Sequence, residues 1–577
     1  MIFTPFIFKE KEFKNRLIMT AINTGFDFDY KSFDKIKEFY RERAKGGAAA
    51  ITTMCAVEEC STVNNIPFNC ESYGLLCNEI SNILKEHNCE HIVQFFYYGN
   101  EFNITSEKIE NIKENFIKTA KICVENGADA IEIDFNKGHI FSNFICSDIS
   151  LIENNFTIEI LKDIKNNIDK NISVIINISL EDILVENIEN SNILKFIKKV
   201  KELNVIDLLR ISNDIYDVCE IDDILNYIKY NIDIPVILDV CIHDEKILNN
   251  LINKDLCCLF GITKNLIADK AVVNKISNSE NYNKCQNCNK CIENVLKNKE
   301  IYCPFNPEIG YEYLENSHRR IATAKKLVVV GGGVAGMMAA KKSADRGYKT
   351  ILITNESRLG GKLNMKACMD YYTKSFLENL ESDLKNLEVE IVYNTLADFD
   401  IIKSYEPYFV VLAMGSVQNI DEKFYGKNYV TAENVIYNIH EFVNKYNNKK
   451  IVIVGEKTFS SDIANYIKNN GNFDITIIDN GKNHKYSINE FYNDNLNIIY
   501  DDIFDINENT IYINNKTSIN YDCIIVANGY TSGNSYISER LMDERISYSI
   551  IGDLNELGNT EKSLKDGFEL FLRLFIA

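Results

Sequence analysis

The chain has 577 residues, 46% of them hydrophobic and 25% charged, an ordinary globular composition with length for about three or four domains. Its net charge of -20, with Lys scattered among Asp and Glu, excludes a basic face for nucleic acid. No apolar run is long enough to span a bilayer and the opening MIFTPFIFKEKEFKNR lacks the build of a signal peptide, so a cytoplasmic protein is expected, with no membrane partner.

Over the first 280 residues, short apolar runs rich in β-branched residues alternate with longer amphipathic stretches. The runs cover 16–22, 48–53, 91–97, 129–134, 173–179, 206–211, 234–239 and 257–261. Eight such units are the count of a closed (β/α)8 TIM barrel, with its active site at the C-terminal ends of the strands. His87 and His91 are four apart, but the apolar run starting at His91 predicts a helix–strand connection between them. Most of the 17 Cys, such as Cys257 and Cys258, lie within apolar runs and read as reduced thiols.

The next segment reads C-Q-N-C-N-K-C, eleven residues, then C-P-F-N-P-E-I-G, so Cys285, Cys288, Cys291 and Cys303 form one set. Four thiolates hold zinc or an iron–sulfur cluster. Zinc sites usually come as two separated pairs, whereas three close cysteines and one distant, Pro-flanked cysteine favour a [4Fe-4S] cluster.

KKLVVVGGGVAGMMAAKKSADRG is a strand, a glycine turn and a helix, with Gly331, Gly333 and Gly336 at G-x-G-x-x-G spacing. The first glycine serves the turn, the second the approach of a pyrophosphate to the helix N-terminus, the third helix–strand packing. The second strand, KTILIT, ends on Thr354 where an acidic residue is expected, and the nearest carboxylate is Glu356. A second such unit, KKIVIVGEKTFSSDIANYIK, has Gly455, Lys457 and Ser460 at the fingerprint positions, and FDITIID ends on Asp479. A side chain at the second position argues against a conventional NAD(P)H site and for a Rossmann fold kept for its packing.

KNRLIMTAI, RERAKGGAAAITT, Gln94 in HIVQFF, NGADAIEID and LIADKAVVNKI resemble the flavin barrel of the old yellow enzyme family. With the cysteine set and its CPFNPEIG tail, nearly the whole chain resembles the long iron–sulfur members: 2,4-dienoyl-CoA reductase, 2-enoate reductase and trimethylamine dehydrogenase. The resemblance implies an FMN barrel over 1–280, with Gln94 and Lys264 on FMN. It implies a [4Fe-4S] connector over 281–322, an FAD-binding Rossmann-like domain over 323–418 and 538–577, and an NAD(P)-binding-like domain over 419–537. The FAD contacts would be Gly331, Gly333, Gly336, Glu356, Gly360, Gly361, Gly552 and Asp553. LAMGS (412–416) and VANGY (526–530) resemble the family's crossings between the nucleotide domains.

Several family positions differ. Asp134, Phe135, Asn136, Lys137, Gly138 and His139 replace a His-Gly-Ala-His-Gly-Tyr run, and an ionised Asp134 has the wrong sign to support a developing oxyanion. Asn177 replaces the Arg set against the flavin, Val240-Cys241 replace phosphate-binding glycines, and Thr263-Lys264 replace a Gly-Arg pair. The loop after the fourth strand is cut to SNFICSDIS, while Gln94 and Gly99 remain. Tyr97 and Tyr98 beside Asp134 would suit a cationic amine.

The expected function is an oxidoreductase relaying electrons from NAD(P)H or a redox partner protein through FAD and the cluster to FMN, and on to a carbon–carbon double bond of a small-molecule substrate. The alternatives are a non-catalytic or electron-transfer paralogue without FMN, and an amine dehydrogenase. No catalytic residue is assigned, and the sequence is compatible with an oligomer.

Overall fold

The computed structural model describes residues 1–26, 32–57, 70–97, 106–136, 156–184, 188, 191–213, 221–241, 245–317, 324–479, 496–514, 517–533 and 536–575. It divides into two compact units, Met1–Arg319 and Arg320–Ala577.

The first unit opens with a hairpin of β1 (Phe6–Phe8) and β2 (Lys11–Phe13). Eight parallel strands follow: β3 (Leu17–Ile18), β4 (Ala50–Ala56), β5 (Glu90–Phe96), β6 (Ala130–Asp134), β7 (Ser173–Ser179), β8 (Leu208–Ser212), β9 (Val236–Asp239) and β10 (Leu259–Gly261). Each strand from β4 onward pairs with the next, and β10 pairs with β3. Met19 then bridges to Ile51: its N–H donates to the Ala50 carbonyl at 2.9 Å and its carbonyl accepts from Thr52 N at 2.8 Å, bringing β3 to β4. The eight expected runs are the eight strands of this barrel. They read as continuous apolar runs because barrel strands are buried both on the inside and under the helices.

Side chains alternate between those two sides. Ile18, Ala50, Ile92, Ala130, Ile175, Leu208, Ile237 and Leu259, one per strand, form an inner plug with Phe13 of the hairpin. Val93, Phe95 and Tyr97 have the opposite parity and join the core that also holds Phe39 and Phe116 of the helices. Tyr97 therefore belongs to the outer packing and not to the pocket lining suggested by its place near Asp134.

At the N-terminal end of the barrel, Lys11 pairs with Asp129 and stands 3.8 Å from Glu90. Burial, then the neighbouring Asp129, raises the Glu90 carboxyl to about 7. Its folded pKa lies above its unfolded one, so this contribution to stability is full below about pH 4.5 and is lost as pH rises through 7. Glu90→Gln is expected to gain about 1 kcal/mol on wild type between pH 5 and pH 8, discounting for solvent access. Urea midpoints at the two pH values check this.

After the barrel, the segment bearing the cysteines returns onto it: Ile301 N donates to Thr24 O at 2.7 Å and Asn306 Nδ2 to Ile267 O at 2.8 Å. Arg43, on the helix Phe33–Lys45, meets Glu312 at 3.0 Å, with both side chains buried.

In the second unit, β11 (Lys326–Val330), β12 (Lys349–Ile353), β13 (Glu390–Val392) and β14 (Phe409–Leu412) form a parallel sheet in the order β13-β12-β11-β14, completed by Tyr548–Ile550. A second parallel sheet, built from strands between 429 and 527, lies within that span of sequence. The antiparallel pair Ser416–Gln418 and Tyr530–Ser532 carries the chain out and back, directly after LAMG and VANG. No helix among the described residues is long and apolar enough to cross a membrane.

Candidate functional site

The loop from Cys285 to Cys291 is shaped by Asn287 and Asn289, whose left-handed backbone (φ 51° and 54°) turns neighbouring N–H groups to one side. Cys285 Sγ accepts from Asn287 N at 3.4 Å, and the nearby backbone at Lys290, Ile292 and Phe305 favours the thiolates of Cys288, Cys291 and Cys303. Backbone N–H groups near a sulfur favour thiolate over thiol.

The thiols also feel one another. Burial pushes Cys291 up to about 11, with Cys285 and Cys288 adding to the rise, while burial and the other three cysteines raise Cys303. Cys285 is instead lowered to about 7, first by a hydrogen bond with Cys241. Lys264, expected at a phosphate, donates from Nζ to Asn287 Oδ1 at 3.2 Å, and its charge favours the thiolates of Cys285 and Cys291. Among the described residues, no three His, Cys, Asp or Glu side chains form a ready site for a single metal ion. The donor chemistry, four cysteines in one connector with Lys264 near Cys285 and Cys291 and Lys290 near Cys288, fits a thiolate-held cluster.

One step above the apolar plug, the inward residues are Thr20, Thr52, Gln94, Glu132, Asn177, Arg210, Asp239 and Gly261, a layer polar throughout except for the glycine. Gln94 Nε2 donates to Glu132 Oε1 at 2.6 Å, Arg210 Nη1 to the same oxygen at 2.7 Å, and Arg210 Nη2 to Asp239 Oδ2 at 2.6 Å. A side chain at Gly261 would put Cβ 2.0 Å from Asp239 Oδ1, so Gly261 leaves room for the carboxylate. Burial raises the Glu132 carboxyl, while Asp239 and Glu132 outweigh burial and hold Arg210 firmly cationic.

Asn177 is the cross-strand neighbour of Arg210, so this layer keeps a cation, one strand along from the family's position. Asp134, one step further out, accepts from Asn177 Nδ2 at 3.2 Å and Asn136 N at 3.0 Å. Thr52 Oγ1 and Asn177 Oδ1 are buried without a partner. Tyr98, Gly99, Lys137, Gly138, His139 and the segment 142–150 lie outside the described residues. His91 is occupied elsewhere, with its ring nitrogens on Ser81 Oγ at 2.7 Å and Thr53 Oγ1 at 2.8 Å, and His87 falls in the turn before β5.

In the second unit, Gly331 (φ 119°) turns the chain from β11 into the helix Val334–Asp345. A Cβ at Gly333 would meet nothing, leaving open space at the helix start, whereas one at Gly336 would lie 2.0 Å from Gly331 O. Gly360 N donates to Gly332 O at 2.8 Å, which lays the Leu359-Gly360-Gly361 loop beside the turn. Thr354 packs against Gly332 and accepts from Glu356 N at 3.2 Å, with Glu356 exposed beyond the strand. Asp553, next to Gly552 (φ 64°), accepts from Lys362 Nζ at 2.6 Å and Ser416 Oγ at 3.0 Å, and Lys362 lies 3.9 Å over the Tyr530 ring. The open turn fits a pyrophosphate on backbone N–H groups. Gly336→Ala is expected to cost about 1–3 kcal/mol through overpacking and to lower flavin content. The urea midpoint and the flavin content after gel filtration check this.

The corresponding helix of the second sheet, Lys457–Asn470, differs. Lys457 N at its start donates to the chain's own buried carboxylate, Asp479 Oδ2, at 3.1 Å. An internal anion at that end weakens the case for a dinucleotide there.

A profile described as FAD-dependent oxidoreductase matches residues 326–391. Cinnamate reductase of Clostridium sporogenes is 24% identical over 676 aligned positions, spanning 99% of this chain and 98% of that protein. A solved 2-naphthoyl-CoA reductase shares the fold with TM-score 0.84 at 19% identity, covering 99% of both chains. Histamine dehydrogenase from Rhizobium sp. 4-9 does so with 0.79 at 14%, covering 100% of this chain and 96% of that one. A parallel barrel joined in one chain to a glycine-turn nucleotide fold defines a flavin-dependent oxidoreductase. Over nearly its whole length the chain is similar to long flavoprotein oxidoreductases of the old yellow enzyme type.

Proposed function

We propose that this protein is an iron–sulfur flavoprotein that reduces an activated carbon–carbon double bond, of the enoate or enoyl-thioester type, in its barrel. Electrons come from a reduced nicotinamide or a partner protein. The observation that carries the reading is the inward polar layer of the barrel, where Thr52 Oγ1 and Asn177 Oδ1 await a partner beside the Arg210 cation. Bound FAD, a [4Fe-4S] cluster and FMN would supply the hydride and single-electron chemistry.

The chain's part is to hold these groups and set their charge. Gly331, Gly333 and Gly336 with Gly360 and Gly361 offer backbone to FAD, while Glu356, Gly552 and Asp553 are assigned to its ribose and ribityl side. Cys285, Cys288, Cys291 and Cys303 are assigned to the cluster, and Gln94 and Lys264 to FMN. Arg210, fixed by Glu132 and Asp239, faces negative charge that develops in the layer.

The excess of carboxylates in and above this layer, Glu132, Asp134 and Asp239 against Arg210, favours a second reading, an amine substrate. Anaerobic titration separates the two. An enoate or enoyl-CoA should reoxidise the dithionite-reduced protein, whereas an amine would bleach the oxidised protein. Neither response would leave the non-catalytic paralogue.

A further inference from the structure

The two nucleotide folds of the second unit align position by position. In the first, Val330 pairs with Ile353 and precedes Gly331; in the second, Val454 pairs with Ile478 and precedes Gly455. Thr354 and Asp479, each the next residue along, therefore occupy the same place. The first glycines agree as well: a Cβ at Gly331 would lie 2.2 Å from Ala413 O, and one at Gly455 2.3 Å from Ala527 O. Beyond them the folds part. Gly331 turns in the left-handed region (φ 119°), and Gly455 does not. Lys457 stands where Gly333 leaves open space, and Ser460, fully buried, stands where a Cβ would lie 2.0 Å from the Gly331 carbonyl. The helix Lys457–Asn470 therefore cannot close onto its turn as Val334–Asp345 does.

The strand-end residues also aim their oxygens differently. Thr354 Oγ1 accepts from Glu356 N at 3.2 Å, beyond its own strand, while a Cβ at Gly333 would meet nothing. Asp479, 3% exposed, instead reaches across to accept from Lys457 N at 3.1 Å. A carboxylate there meets the free N–H groups and the positive end of the helix dipole, the two features that otherwise hold a pyrophosphate. A dinucleotide would bring its pyrophosphate against a like charge, with a lysine side chain where the backbone has to be bare.

We propose that Asp479 is a built-in substitute for the pyrophosphate, and that it closes the 419–537 domain to NAD(P)H. The nicotinamide implied by the resemblance does not fit these residues, so FAD takes its electrons from a redox partner protein. That second step rests on the FAD reading above, whereas the closed turn does not.

The test uses the full chain purified without oxygen, with FAD assayed on the same sample. Hydrogen–deuterium exchange is followed over 450–479 with NADH or NADPH added to about 1 mM, the top of the usual range for such ligands. Exchange there should not change, and neither nicotinamide should bleach the flavin, while dithionite should. Asp479→Ala should speed exchange at the helix start roughly fivefold through the lost hydrogen bond. Inorganic phosphate should restore protection in the variant and do nothing in wild type. Asp479→Asn, which removes the charge and keeps the shape, should show the same phosphate response if the alanine variant does not fold. Protection of 450–479 by either nicotinamide in wild type overturns the closure, and so does an unchanged exchange rate in Asp479→Ala. Bleaching without that protection overturns the protein donor and leaves the closure standing. Protein without FAD would sink the FAD reading, and the donor step with it, but not the exchange result.

Discussion

Replacing Glu312 by alanine is expected to destabilise the first unit by about 3–5 kcal/mol, the usual cost of stranding one partner of a buried ion pair. The Arg43 side chain is 0% exposed and that of Glu312 2%, so water cannot take over the lost contact. Arg43 Nη1 donates to Glu312 Oε1 at 3.0 Å and to Phe39 O at 2.6 Å, while its Nε and Nη2 already lack partners. Burial lowers the Arg43 pKa, and Glu312 is the first group opposing that. Glu312 Oε2 also accepts from Gly310 N at 2.7 Å, anchoring the segment that follows Cys303. Iron content should therefore fall along with the urea midpoint. The paired replacement Arg43→Met with Glu312→Leu should recover most of the stability, since it removes both charges. An unchanged midpoint in Glu312→Ala would contradict the buried pair.

Arg210→Met should be comparably severe, about 3–5 kcal/mol at neutral pH, because Glu132 and Asp239 then face each other without a cation. The loss should depend on pH with a known sign. Burial already raises the Glu132 carboxyl, and losing Arg210 raises it further above its unfolded value. The protonated form is favoured in the fold, so stability is retained at low pH and lost as pH rises. Urea midpoints of the variant should be closer to wild type at pH 5 than at pH 8, and adding Glu132→Gln should narrow the gap at pH 8.

The barrel was legible in the sequence because every strand is buried on both sides and stands out as an apolar run. The polar layer was harder to see for the same reason. Glu132 in AIEID, Arg210 in LLRIS and Asp239 in VILD are single polar residues inside such runs, and only the period-two count from the plug residues Ala130, Leu208 and Ile237 aligns them. The resemblance points to a flavin-side cation on β7, where Asn177 stands, while the register places Arg210 beside it on β8. Tyr97 illustrates the same rule, since nearness in sequence to Asp134 could not reveal that its parity faces the helices. The cysteine spacing and the glycine turn were readable because backbone geometry and residue type act locally there.

The most direct test of the account is the cofactor content of protein purified without oxygen, with flavins released by acid and iron and sulfide assayed on the same sample. The account predicts about four irons with matching sulfide, and FAD and FMN in equal amounts, per chain. FAD and iron without FMN would sink the reductase reading and leave an electron-transfer or non-catalytic relative, and protein without iron would contradict the assignment of Cys285, Cys288, Cys291 and Cys303.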